Sequence, residues 1–313
     1  MVERPIIVIA GLTASGKSRA ALMLAEKLNG VIINADSMQV YQGLPILTAQ
    51  PSLDDLRRAP HCLYAIVPPE EISSVGTWRV QALKEIAAAH RQGKLPILVG
   101  GTGLYLKALF EGIVDIPSIP THIRVTVRKR LEKEGITGLH PILAQHDPVM
   151  AHRLKPGDTQ RIIRALEVVM GTGQSLSVWQ QTTKAEVPQE RALLISFQPD
   201  RETIRAAIAQ RLEGMVAEGA VEEVQVLLRR AIPSDRPILR AVGVPEFSAY
   251  LRGECSKAEA LAQATSASRQ YAKRQRTWLR TQMQNFGIAQ KTINAQFSES
   301  FEPEILSFVR SFH

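Results

Sequence analysis

The chain has 313 residues, enough for about two domains, and its 45% hydrophobic and 22% charged content is that of a globular protein, not a fibrous or disordered one. Lys plus Arg number 38 against 30 Asp plus Glu, a formal excess of +8 that favours an anionic partner without identifying one. No apolar run reaches membrane-spanning length, no signal or transit segment is expected, and the two cysteines, Cys62 and Cys255, have neither a metal-ligand spacing nor a disulfide framework, so the expected location is cytoplasmic.

Residues 5–10 are an apolar run, residues 19–28 read as a helix, and Gly11-Leu12-Thr13-Ala14-Ser15-Gly16-Lys17-Ser18 stands between them. Strand, glycine-rich loop and helix form the setting of a phosphate-binding P-loop. The glycines let backbone N–H groups turn toward phosphate oxygens. Lys17 adds a positive charge, Ser18 offers a hydroxyl to a magnesium ion, and the helix contributes the positive end of its dipole. The competing reading is an ordinary glycine-rich turn. Residues 31–36 follow as a second buried parallel strand, which places Asp36 at the sheet edge where α/β folds bind ligands. A turn or cap role is its alternative. Ser37, Met38, Gln39 and Tyr41 continue that loop.

Residues 54–59 read as a short helix and 63–67 as a third strand, stopped by Pro68 and Pro69. Val80, Leu83, Ile86 and Ala87 give residues 78–92 a helical period, with Gly93 as the stop. Residues 95–99 are a fourth buried strand running into Gly100-Gly101-Thr102-Gly103. That strand does not end in the aspartate with which P-loop ATPases hold magnesium, which argues against a motor-type enzyme. Gly100 and Gly101 suggest close approach of backbone to a ligand, and Thr102 offers a hydroxyl there or caps a helix.

Pro117 and Pro120 mark a change of character. The segment 117–180 is helical and basic and reads as an insertion domain, with 1–116 and 181–313 as the P-loop core. Arg124, Arg128, Lys129 and Arg130 crowd one helix, while Arg161 and Arg164 flank the apolar side of another at 159–170. Such charged faces are most often merely solvated. A fifth strand is expected at 192–197, helices at 203–218 and 220–230, a turn at 240–245 and a long helix at 257–283. On the last, Arg269, Lys273, Arg276 and Arg280 fall on one stripe that no acid interrupts, which fits a polyanion such as nucleic acid better than the alternative, a solvated helix face. The tail from Phe286 offers only a short amphipathic helix near 304–309. The fold class is therefore α/β: a P-loop-containing parallel sheet flanked by helices, with a helical insertion domain.

Together these pieces resemble a family, the tRNA dimethylallyltransferases, also called tRNA isopentenyltransferases. The carriers are residues 11–18, Asn34-Ala35-Asp36-Ser37-Met38-Gln39-Val40-Tyr41, Ala59-Pro60-His61, residues 100–105, 158–167 and 240–243, and the run 269–278. Beyond the P-loop each is weak alone, but their order is specific. The resemblance implies transfer of a dimethylallyl group from its diphosphate to N6 of the adenosine 3′ to the anticodon, in tRNAs reading codons that begin with U. It implies that Gly11, Leu12, Thr13, Ala14, Ser15, Gly16, Lys17 and Ser18 cradle the diphosphate with Mg2+ on Ser18, and that Arg211 is a further diphosphate contact. Asp36 matches the general base and Thr102 the hydrogen-bonding partner of the amine, with Lys17 as the third catalytic group. The implied contacts to the tRNA anticodon stem-loop are Asp36, Ser37, Met38, Gln39, Thr102, Arg124, Gln160, Arg161, Ile162, Ile163, Arg164, Arg240, Ala241, Val242 and Gly243, with the basic helix 269–280 holding phosphates and some of its residues serving folding. The partners implied are dimethylallyl diphosphate and tRNA, acting on a cytoplasmic monomer; the loop has nucleotide-binding form, although ATP need not be a substrate.

Four departures stand out. Leu12 replaces a usual proline, Gln50 a common lysine, Val75-Gly76-Thr77-Trp78 a Val-Ala-Asp-Phe-like stretch, and Val244-Pro245 a Tyr plus a polar or basic residue. The last puts RNA contacts by residues 244 and 245 in doubt. A small-molecule P-loop kinase is the runner-up; it explains neither the insertion nor the basic stripe. A non-catalytic RNA-binding protein with a relict P-loop is the third reading, and intact Lys17, Ser18 and Asp36 argue against it.

Overall fold

Four segments without a polar face form the centre of the sheet: β1 (Ile6–Gly11), β2 (Gly30–Asn34), β4 (Leu95–Gly100) and β5 (Ala192–Phe197) are buried along their whole length. The two-residue β3 (His61–Cys62) and β6 (Ala289–Ile293) complete a six-stranded, all-parallel sheet in the order β3-β2-β4-β1-β5-β6. The structure is a computed structural model that describes residues 5–114, 116–182 and 192–312. Alternate residues serve opposite faces. Ile6, Val8, Ile33, Leu98 and Leu194 enter one core, and Ile7, Ile9, Ile32, Ile97 and Ile195 enter the other.

Helices cover both faces: α1 (Lys17–Leu28), the short α2 (Pro45–Thr48) and α3 (Leu53–Arg58), α4 (Val75–Arg91) and α5 (Gly103–Phe110). After the insertion come α10 (Arg201–Glu218), α11 (Ala220–Arg229), α12 (Val244–Leu251), α13 (Lys257–Gln282) and α14 (Glu302–Arg310). The insertion itself holds α6 (Thr121–His146), α7 (Pro148–Arg153), α8 (Thr159–Thr172) and α9 (Leu176–Thr182). The chain divides into two compact units, Met1–Phe110 with Pro188–His313, and Glu111–Val187. The second has its own core of Val127, Leu139, Leu143, Ile162, Leu166 and Val168. Its first helix is two, broken at Gly135, whose φ of 65° lies where only glycine sits without strain.

Two sequence expectations fail here. Residues 63–67 are not a strand. Leu63 and Ala65 have φ of 65° and 50°, and only Val67 bridges to Tyr41. The hydrogen bond of Asn34 Nδ2 to the Leu63 carbonyl, 3.0 Å, holds that segment as a loop instead. The tail is also more than one helix, because residues 289–293 add the edge strand β6 beside β5. Its alternating exposure, half solvated as an edge strand should be, gives no apolar run to read.

Candidate active site

The carboxyl ends of β1, β2 and β4 converge on one edge of the sheet. At β1 the chain leaves through Gly11 into the P-loop. Ala14 (φ 60°) and Gly16 (φ 84°) take left-handed conformations that curl the loop into a concavity of the kind that binds anions. Not every N–H faces inward. Leu12 N–H is donated to the Phe197 carbonyl, Thr13 N–H to Gln275 Oε1 (2.8 Å) and Ser15 N–H to the Leu12 carbonyl (3.2 Å). The side chains of Leu12 and Ser15 are fully buried, and Ser15 still belongs to the wall of the cavity at the loop. Lys17, Gly16 and the exposed Ser18 line a cavity of about 750 Å³ together with Arg211 and Gln296.

Burial pushes the Lys17 ammonium down to about 8; Asp36 opposes that shift and Arg211 adds to it. Burial likewise lowers Arg211, again against Asp36. Two cations thus face one carboxylate, and the site is short of negative charge. Arg211 also donates to Thr13 Oγ1 at 3.3 Å.

Asp36 is positioned by Asn34, a fully buried side chain that the sequence analysis counted in a motif but gave no role of its own. Asn34 Oδ1 accepts Asp36 N–H at 2.8 Å, and its Nδ2 donates to the carbonyls of Asp36 and Leu63, both at 3.0 Å. Trp78 Nε1 donates to the Asn34 carbonyl at 2.8 Å and stacks on Tyr105 with ring centroids 4.2 Å apart. The Trp that departs from the family pattern therefore buttresses this loop. Asp36 Oδ1 accepts Met38 N–H (2.9 Å), leaving the other oxygen for a ligand. Thr102 Oγ1 accepts Ser37 N–H at 3.0 Å. Asp36, Ser37 and Met38 line a second cavity of about 260 Å³ with Arg240 and Tyr271. Arg211 belongs to the walls of both cavities.

Several expected contacts have other duties. Gly100 and Gly101 admit protein, not ligand: a Cβ would lie 2.0 Å from the Ala35 carbonyl oxygen at the first and 2.0 Å from Gln275 Nε2 at the second. Gln39 donates to the carbonyls of Thr48 and Ala49 and lines the larger cavity instead of the one around Asp36. Ala241 and Val242 line the Asp36 cavity, whereas Gly243 turns at φ 98° against Leu47 and donates its N–H to Glu246. Val244 and Pro245 open α12, with Val244 in the core. In the second unit Arg124, Gln160 and Arg161 are exposed. Ile162 is in that unit's core, so its side chain packs and meets no surface ligand, while Ile163 packs partly buried against the same core. Arg164 faces Glu167 at 3.9 Å, and burial, with Arg124 adding to it, lowers its pKa against that carboxylate. On α13, Arg269 and Arg276 donate to the carbonyls of Arg205 and Pro199, so half the basic stripe fastens α13 to the start of α10. Lys273 and Arg280 remain exposed.

Sequence reading also missed the C-terminal strap across the loop. Phe297 N–H is donated to the Ser15 carbonyl (2.9 Å), Gln296 Nε2 to that of Ala14 (2.7 Å), and the Phe297 Cβ occupies the space where a side chain at Gly16 would lie. No local pattern announces such contacts; their partners are far apart in sequence.

A parallel sheet with β1 inside it, a P-loop at the end of β1 and a carboxylate at the same sheet edge defines a P-loop α/β protein with a second cavity beside the loop. The IPP transferase model matches residues 39–282. The chain is 48% identical over 309 residues to the tRNA dimethylallyltransferase of Rhodospirillum rubrum, covering 98% of this chain and 95% of that protein. It is 50% identical over 278 residues to that of Azorhizobium caulinodans, covering 88% and 89%. It is similar to the structure of the full-length tRNA isopentenylpyrophosphate transferase from Bacillus halodurans, with a TM-score of 0.70, 31% identity and coverage of 99% and 96%. A eukaryotic dimethylallyltransferase acting on tRNA gives a TM-score of 0.85 at 27% identity, covering 99% of this chain and 79% of that one. The chain belongs to the IPP transferase family.

Proposed function

We propose that the protein transfers a dimethylallyl group from dimethylallyl diphosphate to N6 of the adenosine 3′ to the anticodon, in tRNAs reading codons that begin with U. The observation that carries this reading is the pair of cavities meeting at Arg211, one against the P-loop and one against Asp36. A donor diphosphate in the first and an extruded base in the second would bring the allylic carbon and the amine together. The C1–O bond to diphosphate breaks, the N6–C1 bond forms, and the proton leaves N6 for the free oxygen of Asp36. Lys17 and Arg211 meet the charge that accumulates on the leaving diphosphate, in a site poor in water where each is worth more than in solvent. Thr102 holds the loop carrying Asp36 through the N–H and hydroxyl of Ser37, and its role as hydrogen-bonding partner of the amine is carried over from the family resemblance.

Ser18 suits a magnesium ion that arrives with the diphosphate: its hydroxyl is exposed at the loop, and among the described residues no cluster of His, Cys, Asp or Glu would hold a metal by itself. Bound there, the ion would neutralise phosphate charge. Arg124, Gln160, Arg161, Arg164 and Arg240 are assigned to the tRNA anticodon stem-loop, a role for which their cationic and polar side chains qualify them. Among the described residues no helix is long and apolar enough to cross a membrane, in keeping with work in the cytoplasm. A kinase is not favoured, because the relatives that match over nearly the whole chain are tRNA dimethylallyltransferases.

The test is incubation of the purified protein with magnesium, dimethylallyl diphosphate and unmodified tRNA, followed by nucleoside mass analysis. One isopentenyl unit on the adenosine after the anticodon is expected. Absence of transfer, with ATP-dependent phosphorylation of a metabolite, would overturn the reading.

A further inference from the structure

Gln275 is a buried carboxamide, 5% exposed, in the middle of a helix whose surrounding residues are largely basic. Both ends of the amide are engaged. Oε1 accepts Thr13 N–H of the P-loop at 2.8 Å, and Nε2 donates to the Gly101 carbonyl at 3.1 Å. Those two partners fix the orientation of the amide, since the N–H needs the oxygen and the carbonyl needs the nitrogen. Gly101 is required for the bridge, because a Cβ there would lie 2.0 Å from Nε2. The phenol of Tyr271, one turn earlier on α13, lies against both Gln275 and the Thr102 hydroxyl, and Tyr271 lines the Asp36 cavity.

The connections run in one line. Thr13 receives Arg211 on its hydroxyl and Gln275 on its N–H. Gln275 holds Gly101, the residue before Thr102, and Thr102 holds Ser37, the residue after Asp36. We propose that Gln275 is a positioning residue that ties the donor loop to the acceptor pocket, so that diphosphate and base are held in one register. It touches neither substrate in this scheme. Its contribution is to the alignment of two reacting atoms, which is where small displacements cost large factors in rate. A bridge of this kind also couples the two sites thermodynamically: filling one shifts the affinity of the other, by the same factor in either direction.

This inference rests on the prenyl-transfer reading, and the experiment separates the two. Gln275→Met keeps the side-chain volume and removes both hydrogen bonds; Gly101→Ala displaces the same amide from the opposite side. Ile305→Val, at a fully buried position of α14, serves as a destabilised control outside both cavities. For each, single-turnover transfer is measured together with equilibrium binding of tRNA, with and without magnesium diphosphate as the probe. Both bridge variants are expected to lose about 10- to 100-fold in transfer rate while diphosphate and tRNA each bind within about threefold of wild type. Diphosphate is expected to change tRNA affinity in the wild-type protein and in neither bridge variant; an unaltered tRNA affinity in the wild type would overturn the coupling. An unchanged rate in either variant, or a loss matched by the control, would overturn the positioning role. No transfer by the wild-type protein would instead overturn the reading of the reaction.

Discussion

At the residue scale, Lys17 sets a pH dependence. Burial holds its pKa near 8, below the ordinary 10.5, and a bound diphosphate favours the charged form. Below pH 8 the free protein already carries the charge. Above it, binding must take up a proton, so diphosphate affinity should weaken as pH rises through about 8. Calorimetry in two buffers of different ionisation enthalpy should register that uptake at pH just above 8, and Lys17→Met should abolish it. Asp36 gives a second prediction. An asparagine there can still accept Met38 N–H, so the loop survives and only the base is lost. Asp36→Asn is expected to lower kcat by about 10²- to 10⁴-fold, with tRNA affinity within about threefold by filter binding. Retained turnover would remove Asp36 from the role of base. Both residues were legible in the sequence, Lys17 through the glycine-rich loop motif and Asp36 because it closes an apolar run. Asn34, which aims Asp36, was not, because a polar residue inside a strand carries no sign of what it will bond.

At the element scale, the P-loop is shaped by segments that contribute nothing to its motif. The strap after β6 is one. Removing Gln296 Nε2 from the Ala14 carbonyl should cost about 0.5–1.5 kcal/mol of loop stability, so Gln296→Ala is expected to raise KM for dimethylallyl diphosphate more than it lowers kcat. Steady-state kinetics at varied donor concentration decide this; an effect on kcat alone would assign Gln296 elsewhere. The end of β4 is another. A Cβ at Gly100 meets the backbone oxygen of Ala35, which cannot move without displacing β2. Gly100→Ala should therefore destabilise by about 1–3 kcal/mol in chemical denaturation, and should disturb Asp36 with it. The glycines were visible in the sequence as a place of close approach. Which atoms approach was decided by the packing of β2 against β4, and those atoms belong to the protein.

At the scale of the whole molecule, the excess of positive charge is distributed between the sheet-containing unit and the helical one. If Arg161 meets a tRNA phosphate, Arg161→Ala should weaken tRNA binding and reduce the slope of log K against log salt by about one, with thermal stability unchanged, since its side chain is 76% exposed and only 4.0 Å from Asp158 as its ion-pair partner. An unaltered slope would leave Arg161 as a solvated charge. Ile162 beside it was grouped with the RNA contacts through resemblance, and its burial shows how a motif mixes surface residues with the core residues that present them. What the sequence by itself determined was local: the β1–loop–α1 unit of P-loop form, the fully buried strands, the period of the helices and the seven ordered motifs that mark the family. These depend on neighbours within a few residues, where strand alternation, helical period and turn chemistry leave a readable pattern. The tertiary structure alone decided how the cradle is held. Thr13 is bonded to Gln275 across 262 positions, Gln296 to the Ala14 carbonyl across 282, and Arg211 to Thr13 across 198. A hydrogen bond between residues that far apart depends on where the whole sheet brings them, and no local pattern in the chain encodes it.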